Sequence, residues 1–251
     1  MVHFVGAGPG AKDLITIRGK KFIEDADMII YAGSLINPEL LEEAKPGCIL
    51  YDSAKMTLEE VAEKLVWGHG QGMEIVRLHT GDASLYGAVR EQMDILEEKK
   101  IPYDSCPGVS SFCGAASSLN LEYTLPEVSQ SLVITRMAGR TPVPQKESIE
   151  SFAAHQASMA VFLSAGMLGE LRKRLLAGGY KENTPAAIVY KATWEDEIQI
   201  TCSLGELEEK AKERGIKKTA LILVGDVIAH TSYQRSKLYH PEFSTEFRKG
   251  K

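Results

Sequence analysis

No uninterrupted apolar stretch in this 251-residue chain approaches the ~18 residues that a membrane-spanning helix needs, so a soluble protein without a membrane partner is expected. Cysteine is sparse. Cys48, Cys106, Cys113 and Cys202 form no C-x-x-C pair and have no companion histidines at ligand spacing, which argues against both a structural zinc and a disulfide framework. Buried thiols in a reducing cytosol are the expected state, and the N-terminus enters a strand with His3 and no basic flank, so the expected location is cytoplasmic. Positive charge is short as well: a formal net charge of −5 argues against a surface built to neutralise nucleic-acid phosphates. The local exception is the tail 231–251, where Arg235, Lys237, Arg248, Lys249 and Lys251 face only Glu242 and Glu246, with Tyr233, Tyr239, Phe243 and Phe247 between them. Such a tail either packs on the body or a neighbouring subunit, or is a solvated end. Also missing are a Ser-His-Asp set, a placeable carboxylate pair, a metal-binding cluster, an internal repeat and any low-complexity segment. The six histidines are scattered, so structural or surface roles are expected for them. No catalytic side chain is assigned, and the chemistry points to a reactive cofactor rather than a reactive residue.

What the chain does have is 44% hydrophobic residues, enough for a substantial core, and glycine at the ends of apolar runs. Val5-Gly6-Ala7-Gly8-Pro9-Gly10 follows the run Val2–Val5 and precedes a helix-like segment. Its three glycines let backbone approach a ligand closely, while Pro9 stiffens the turn and removes one N–H donor. Gly6, Gly8 and Ala11 fit a dinucleotide fingerprint, but the next strand ends in Ala32-Gly33-Ser34, without the acid that would hold a ribose. A turn that merely packs strand against helix stands as the simpler alternative.

Alternating patterns predict strands at 2–5, 28–31, 48–51, 74–78 and 102–105, with helices near 16–25, 38–44, 57–67, 87–99 and 109–119. That rhythm implies right-handed βαβ units and an N-terminal α/β domain, residues 1–121, with a mainly parallel open sheet. Thr57 is placed to cap its helix, with Glu59 and Glu60 at the positive end. After the proline-marked stretch 122–130, strands are expected at 132–136, 160–164, 186–191, 199–202 and 220–224, with helices at 168–176 and 204–214. The break Trp194-Glu195-Asp196-Glu197 suggests a hairpin, so the C-terminal α/β domain, residues 131–230, should hold a mixed sheet.

Three further loops carry glycine or small polar residues at predicted strand ends, where open α/β sheets place ligands. In His79-Thr80-Gly81-Asp82-Ala83-Ser84-Leu85-Tyr86-Gly87 the aspartate is either a ligand contact or an Asx-turn. Cys106-Pro107-Gly108-Val109-Ser110-Ser111 opens a helix whose free N–H groups suit a carboxylate, or is simply capped by Ser110. Thr135-Arg136-Met137-Ala138-Gly139-Arg140-Thr141-Pro142-Val143-Pro144 pairs two arginines with rigidifying prolines. That arrangement suits a ligand with several carboxylates or belongs to ordinary surface arginines.

Taken together, the segments VHFVGAGPGAKDLITIRG, YAGSLINPELL, LHTGDASLYGAVREQM, TRMAGRTPVP, VYKATWEDE and TALILVG resemble the tetrapyrrole methyltransferases that use S-adenosylmethionine, over nearly the whole chain. The likeness is nearest to the subgroup acting at carbon 11 of precorrin-4 or cobalt-precorrin-4 in cobalamin biosynthesis. It implies two α/β domains with a cleft between them, a homodimer, and S-adenosylmethionine as methyl donor. Carried over by position, it implies cofactor contacts at Pro9, Thr80, Gly81, Asp82 and Leu85. Ser110 and Ser111 would meet the amino-acid end, and Ser164, Ala192 and Ala220 the methionine or adenine parts. The family usually reads G-D-P in the second loop, and here Ala83 stands in place of the proline, which loosens the turn. For an acidic tetrapyrrole substrate, Arg136, Arg140 and Lys191 are the expected cations, with Tyr86 against the macrocycle. Other readings are methylation of another ring carbon, methylation of ribosomal RNA, and a tetrapyrrole carrier that needs no methyl donor.

Overall fold

The computed structural model describes residues 1–229 and 233–250. Of the expected tail, Thr231, Ser232 and Lys251 lie outside the described residues. The chain forms two compact units: Met1–Ala115 with Lys191–Glu197, and Ala116–Tyr190 with Ile198–Lys251.

In the first unit, strands β1 (Val2–Gly6), β2 (Met28–Tyr31), β3 (Ile49–Asp52), β4 (Ile75–His79) and β5 (Tyr103–Cys106) form one sheet in the order β3-β2-β4-β1-β5. Every neighbouring pair is parallel, as strand–helix alternation requires. The helices are α1 (Ile17–Asp25), α2 (Pro38–Leu41), α3 (Leu58–Gly70), α4 (Arg90–Glu98) and α5 (Ser111–Ser118). Strand residues alternate between two cores. Val5, Ile29, Val76 and Leu78 pack with Ile23 and Leu40 on one face, while Val2, Phe4, Met28, Ile30 and Ile75 pack with Val61, Leu65 and Leu96 on the other. Both faces are therefore covered, which is why β2, Met-Ile-Ile-Tyr, reads as an unbroken apolar run. At the amino-terminal end of the sheet, His3 joins Asp104 (2.6 Å) and Glu74 (3.1 Å) and stacks on Phe22, a structural use of that ring.

The second unit holds β6 (Leu132–Arg136), α6 (Ile149–Ala153), β7 (Ser158–Phe162), α7 (Leu168–Ala177), β8 (Pro185–Tyr190), β9 (Ile198–Ser203), α8 (Leu207–Glu213) and β10 (Ala220–Val224). Its sheet runs β6-β7-β10-β8-β9, with β6 and β7 parallel and the remaining pairs antiparallel, so it is the expected mixed sheet. One core, built on Met159, Val161, Ile188 and Ile222, packs against Leu171, Leu175 and Leu207 of the helices.

Several boundaries differ from the sequence pattern for physical reasons. Helix α4 begins at Arg90 rather than near Gly87, because Tyr86 (φ 58°) and Ala88 (φ 50°) are left-handed and cannot join a right-handed helix. Helix α6 is too short to show a period. The strands β8 and β9 do form the expected hairpin, but their connection 191–197 leaves the second unit and packs on the first, and the division of the chain falls inside α5. Among the described residues, no helix is long and apolar enough to cross a membrane.

Helix α3 starts where its sequence says. Thr57 Oγ1 accepts from Glu60 N (3.3 Å) and a Glu60 carboxylate oxygen accepts from Thr57 N (2.7 Å), a complete capping box. Thr57→Ala removes half of it and is expected to lower the thermal midpoint by roughly 2–4 °C in a calorimetric scan. An unchanged midpoint would mean that packing of Val61 and Leu65 alone fixes this helix.

Candidate ligand site at the strand ends

Strands β4, β1 and β5 lie side by side, and each ends in one of the glycine loops. From β1 the chain crosses to β2 beyond β4, and from β4 it crosses to β5 beyond β1, so the connections diverge at this point of the sheet. Open α/β sheets bind ligands at such a switch point, outside the carboxyl ends of the strands. Here the loops meet backbone to backbone. A Cβ on Gly6 would lie 2.6 Å from both Gly108 N and Gly81 O, and one on Gly108 would lie 2.2 Å from Gly81 O. Gly8 and Gly81 exchange two hydrogen bonds, Gly8 N to Gly81 O (3.2 Å) and Gly81 N to Gly8 O (2.8 Å).

Asp82 ties the second loop to the third. Its Oδ2 accepts from Gly108 N (2.8 Å), and its Oδ1 accepts from Ser84 N (2.9 Å) and from the Ser84 hydroxyl. Burial pushes its pKa up, but the Ser84 hydroxyl and the N–H groups of Gly108 and Ser84 outweigh that and hold it below the ordinary carboxylate value. The Asx-turn and the inter-loop contact thus coexist in one side chain.

The polar groups of the first turn are occupied by protein. Ala7 N donates to His79 O (2.7 Å) and Ala11 N to Thr193 Oγ1 (3.0 Å), while Trp194 Nε1 donates to Pro9 O (3.2 Å) and Asn37 Nδ2 to Gly10 O (3.0 Å). Gly10 must lack a side chain, since a Cβ there would fall 2.1 Å from Trp194 Cδ1. With the N–H groups of Ala7, Gly8 and Ala11 taken and none on Pro9, this turn is no pyrophosphate cradle. Asn37, Thr193 and Trp194 escape the sequence reading. Asn37 has a signal, the Asn-Pro-Glu start of a helix, whereas the other two act across more than 180 residues.

The first unit contains Pro9, Thr80, Gly81, Asp82, Leu85, Ser110, Ser111 and Ala192 of the expected cofactor residues. A Cβ on Gly81 would come within 3.3 Å of Ser111 N and Oγ, and Ala192 O lies beside Gly10, so the second and third loops adjoin and residue 192 covers the first turn. Tyr86 is 43% exposed. Lys191 is less free than expected: its ammonium bonds Asp196 Oδ2 at 2.5 Å and lies 5.3 Å from the Trp194 ring centre. In the second unit Ser164 is fully buried, accepting from Met137 N (3.0 Å) and donating to Phe162 O (2.7 Å), so its hydroxyl joins the ends of β6 and β7. Ala220 opens β10 opposite Tyr190. Arg136 folds its own loop, donating to Met137 O (3.1 Å), Thr141 O (3.1 Å) and Pro142 O (2.9 Å), while Arg140 is exposed.

Backbone strain marks the same places. Of ten non-glycine residues with positive φ among those described, Tyr86, Ala88, Leu163, Lys191, Thr193 and Thr219 lie in or next to the expected site positions. Lys100, Asn120 and Gln156 merely follow helices, where a left-handed residue is ordinary, and Glu127 sits in a turn. Strain away from helix ends tends to gather at functional sites, and in the second unit Leu163 (φ 52°) and Thr219 (φ 56°) stand next to Ser164 and Ala220 in sequence.

Compared with known proteins, residues 1–208 match the family described as tetrapyrrole (corrin/porphyrin) methylases. The chain is 52% identical to the cobalt-precorrin-4 C(11)-methyltransferase of Methanocaldococcus jannaschii over 248 residues, covering 99% of this chain and 96% of the relative. It is 41% identical to the precorrin-4 C(11)-methyltransferase of Pseudomonas aeruginosa, covering 99% of both. Among solved structures it is similar to the X-ray structure of a cobalamin biosynthetic enzyme, cobalt precorrin-4 methyltransferase. The TM-score is 0.88 at 38% identity, covering 90% of this chain and 95% of that one.

Asp82→Asn keeps an oxygen for Ser84 but turns an amide N–H2 toward the Gly108 donor. The variant is expected to exchange its Gly108 amide faster and to melt a few degrees lower at pH 7. Because the carboxylate pKa is lowered in the fold, its stabilisation is complete above the unfolded value near 3.8 and disappears only as pH falls through the lower folded value. The gap between the two proteins should therefore stay constant from about pH 5 to pH 8. A gap that closes inside that range would show that another group controls the loop.

Proposed function

Because the chain belongs to the tetrapyrrole (corrin/porphyrin) methylases, we propose that it transfers a methyl group from S-adenosylmethionine to carbon 11 of precorrin-4 or cobalt-precorrin-4 in cobalamin biosynthesis. It is a methyltransferase. The observation that carries the substrate is near full-length identity of 52% and 41% to relatives named for that reaction, one with cobalt in the name and one without.

The strand-end loops fit this donor better than a phosphate-bearing cofactor. Pro9 and the occupied N–H groups around it leave a backbone-lined edge without an anion cradle. The start of α5 at Ser110 and Ser111 suits the carboxylate end of an amino acid. Asp82, held ionised, keeps Gly108 in place beside Gly81. When bound, the donor supplies a methyl already activated on a sulfonium. What remains for the chain is to bind, align and exclude water, which is catalysis by orientation, and no nucleophilic side chain is required.

For the acidic substrate, Arg140 is the cation we assign to a carboxylate arm, because Arg136 and Lys191 are already engaged by protein groups. Tyr86 is assigned to the macrocycle, as an exposed ring on the strained loop. Of the four cysteines, all free, only Cys106 is buried and Cys113 is exposed, which corrects the expectation of buried thiols. A reducing, cytoplasmic setting is proposed from the sparse, unpaired cysteines of the sequence, and a homodimer from family precedent.

The deciding assay incubates the purified protein with methyl-labelled S-adenosylmethionine and precorrin-4, with and without cobalt, followed by mass spectrometry. One methyl gained at carbon 11 is the expected product, and gain at another ring carbon or none at all would overturn the assignment. Arg140→Ala should raise KM for the tetrapyrrole about tenfold with kcat little changed, since it removes binding common to ground and transition states. Arg136→Ala should instead lower the thermal midpoint, because three loop carbonyls lose their donor. The reverse pattern would exchange the two roles.

A further inference from the structure

Beneath the 80–89 loop the first unit buries a polar group that the assigned chemistry does not use. Arg77, on β4, is only 6% exposed and has no carboxylate partner among the described residues. Its Nε donates to Gln92 Oε1 (3.0 Å), and its Nη1 donates to Ile30 O (3.1 Å) and Leu78 O (3.4 Å). Gln92, in the first turn of α4 and also 6% exposed, passes the connection on: its Nε2 donates to Ala88 O (3.0 Å). Next to Arg77 on the same face of β4, buried His79 stands against Phe4 with its Nε2 unpartnered. Burial, with the Arg77 charge adding to it, pushes the imidazole down to about 3, so this ring is neutral at working pH. Arg77 itself is pulled down only to about 10 and keeps its charge.

A buried guanidinium without a counter-ion lowers stability relative to an apolar side chain of similar volume. Its contribution here lies in the geometry it sets. The loop has two anchors. Its upstream end is fixed by the Gly8–Gly81 bridge and by Asp82 on Gly108, and its downstream end by the Ala88 carbonyl on Gln92. Between them stand Tyr86 and Ala88 in the left-handed region, a conformation that non-glycine residues leave unless they are held.

We infer that Arg77 and Gln92 are positioning residues: a buried strut from β4 to the Ala88 carbonyl that fixes the downstream half of the loop and, with it, the ring of Tyr86 toward the tetrapyrrole. The inference rests on the substrate reading above and extends it to two residues that touch neither ligand. It separates the two halves of the loop, because loss of the strut loosens the backbone around Ala88 while the glycine and aspartate anchors keep Gly81 and Asp82 in place.

Gln92→Glu tests it. The carboxylate still accepts from Arg77 and supplies the missing counter-charge, but it has no N–H for Ala88 O. Expected are a thermal midpoint equal to or above that of the unaltered protein, and amide exchange between Ser84 and Val89 faster by about tenfold or more. Affinity for S-adenosylhomocysteine should stay within about threefold while KM for the tetrapyrrole rises about tenfold. Gln92→Met, which loses both bonds at similar volume, should loosen the same segment even if it melts lower. Unchanged exchange of residues 84–89 in both variants would overturn the strut. So would faster exchange spread over the whole first unit with a lower midpoint for Gln92→Glu, since that is the mark of a packing role alone. If the unaltered protein neither binds S-adenosylhomocysteine nor methylates the tetrapyrrole, the substrate reading falls, while the exchange data still decide the strut.

Discussion

Everything at the strand ends depends on one steric fact: the backbones at Gly6, Gly81 and Gly108 touch with no side chain between them. Parallel strands lie about 4.8 Å apart, and at that spacing the loops leaving β4, β1 and β5 normally keep their distance through their own side chains. With no Cβ on Gly6 or Gly108, and with Gly81 taking φ 60°, the turns close on one another, and Gly8 pairs with Gly81 while Asp82 reaches Gly108 N. The ordering of Thr80 to Leu85, and of Ser110 and Ser111, follows from this contact. These residues sit where they do because main chain, which has few ways to adjust, sets the distance.

Much of this was legible in the sequence because it is local or periodic. Apolar runs bounded by glycine gave the strands, the Thr57–Glu60 pair gave the start of α3, and small polar residues at strand ends gave the loops. What was not legible acts over long separations. Nothing near Trp194 says that its indole will reach Pro9 O, so the 191–197 segment reads as an ordinary hairpin turn although it belongs to the first unit. Arg136 shows a second effect, within its own loop. Two arginines beside prolines look like a carboxylate clamp, but the prolines bend the chain back until Thr141 and Pro142 present their carbonyls to the nearer guanidinium. Ser164 likewise has its hydroxyl engaged by backbone on both sides, accepting from Met137 N and donating to Phe162 O.

The charge balance bears on the role proposed for Arg140. For the acidic tetrapyrrole proposed as substrate, a net charge of −5 is repulsive at long range, although physiological salt reduces that repulsion beyond about 8 Å. On that proposal, capture rests on cations close to the macrocycle that are not already neutralised. Lys191 fails that condition through Asp196, and Arg77 fails it through burial. An exposed arginine on a proline-stiffened loop meets it, and the planar guanidinium adds the bidentate geometry that a carboxylate arm accepts.

The proposed catalysis by orientation also accords with side chains, rather than glycines, at the strained positions. Glycine would adopt the same φ at residues 86, 88, 163, 191, 193 and 219 without cost, but it would leave that conformation as readily, and an in-line reaction tolerates little such freedom. A tyrosine or threonine held at positive φ costs of order 1–3 kcal/mol each and stays only where surrounding contacts outweigh the strain. Those contacts must then be directional rather than merely apolar, because hydrophobic packing is indifferent to a rotation of one peptide plane whereas a hydrogen bond to its carbonyl is not. The chain Arg77–Gln92–Ala88 is of this directional kind, and so is the Thr193–Ala11 bond beside residue 192. Polar groups buried beneath the sheet end thus add what apolar packing does not, a fixed direction for the Ala88 carbonyl.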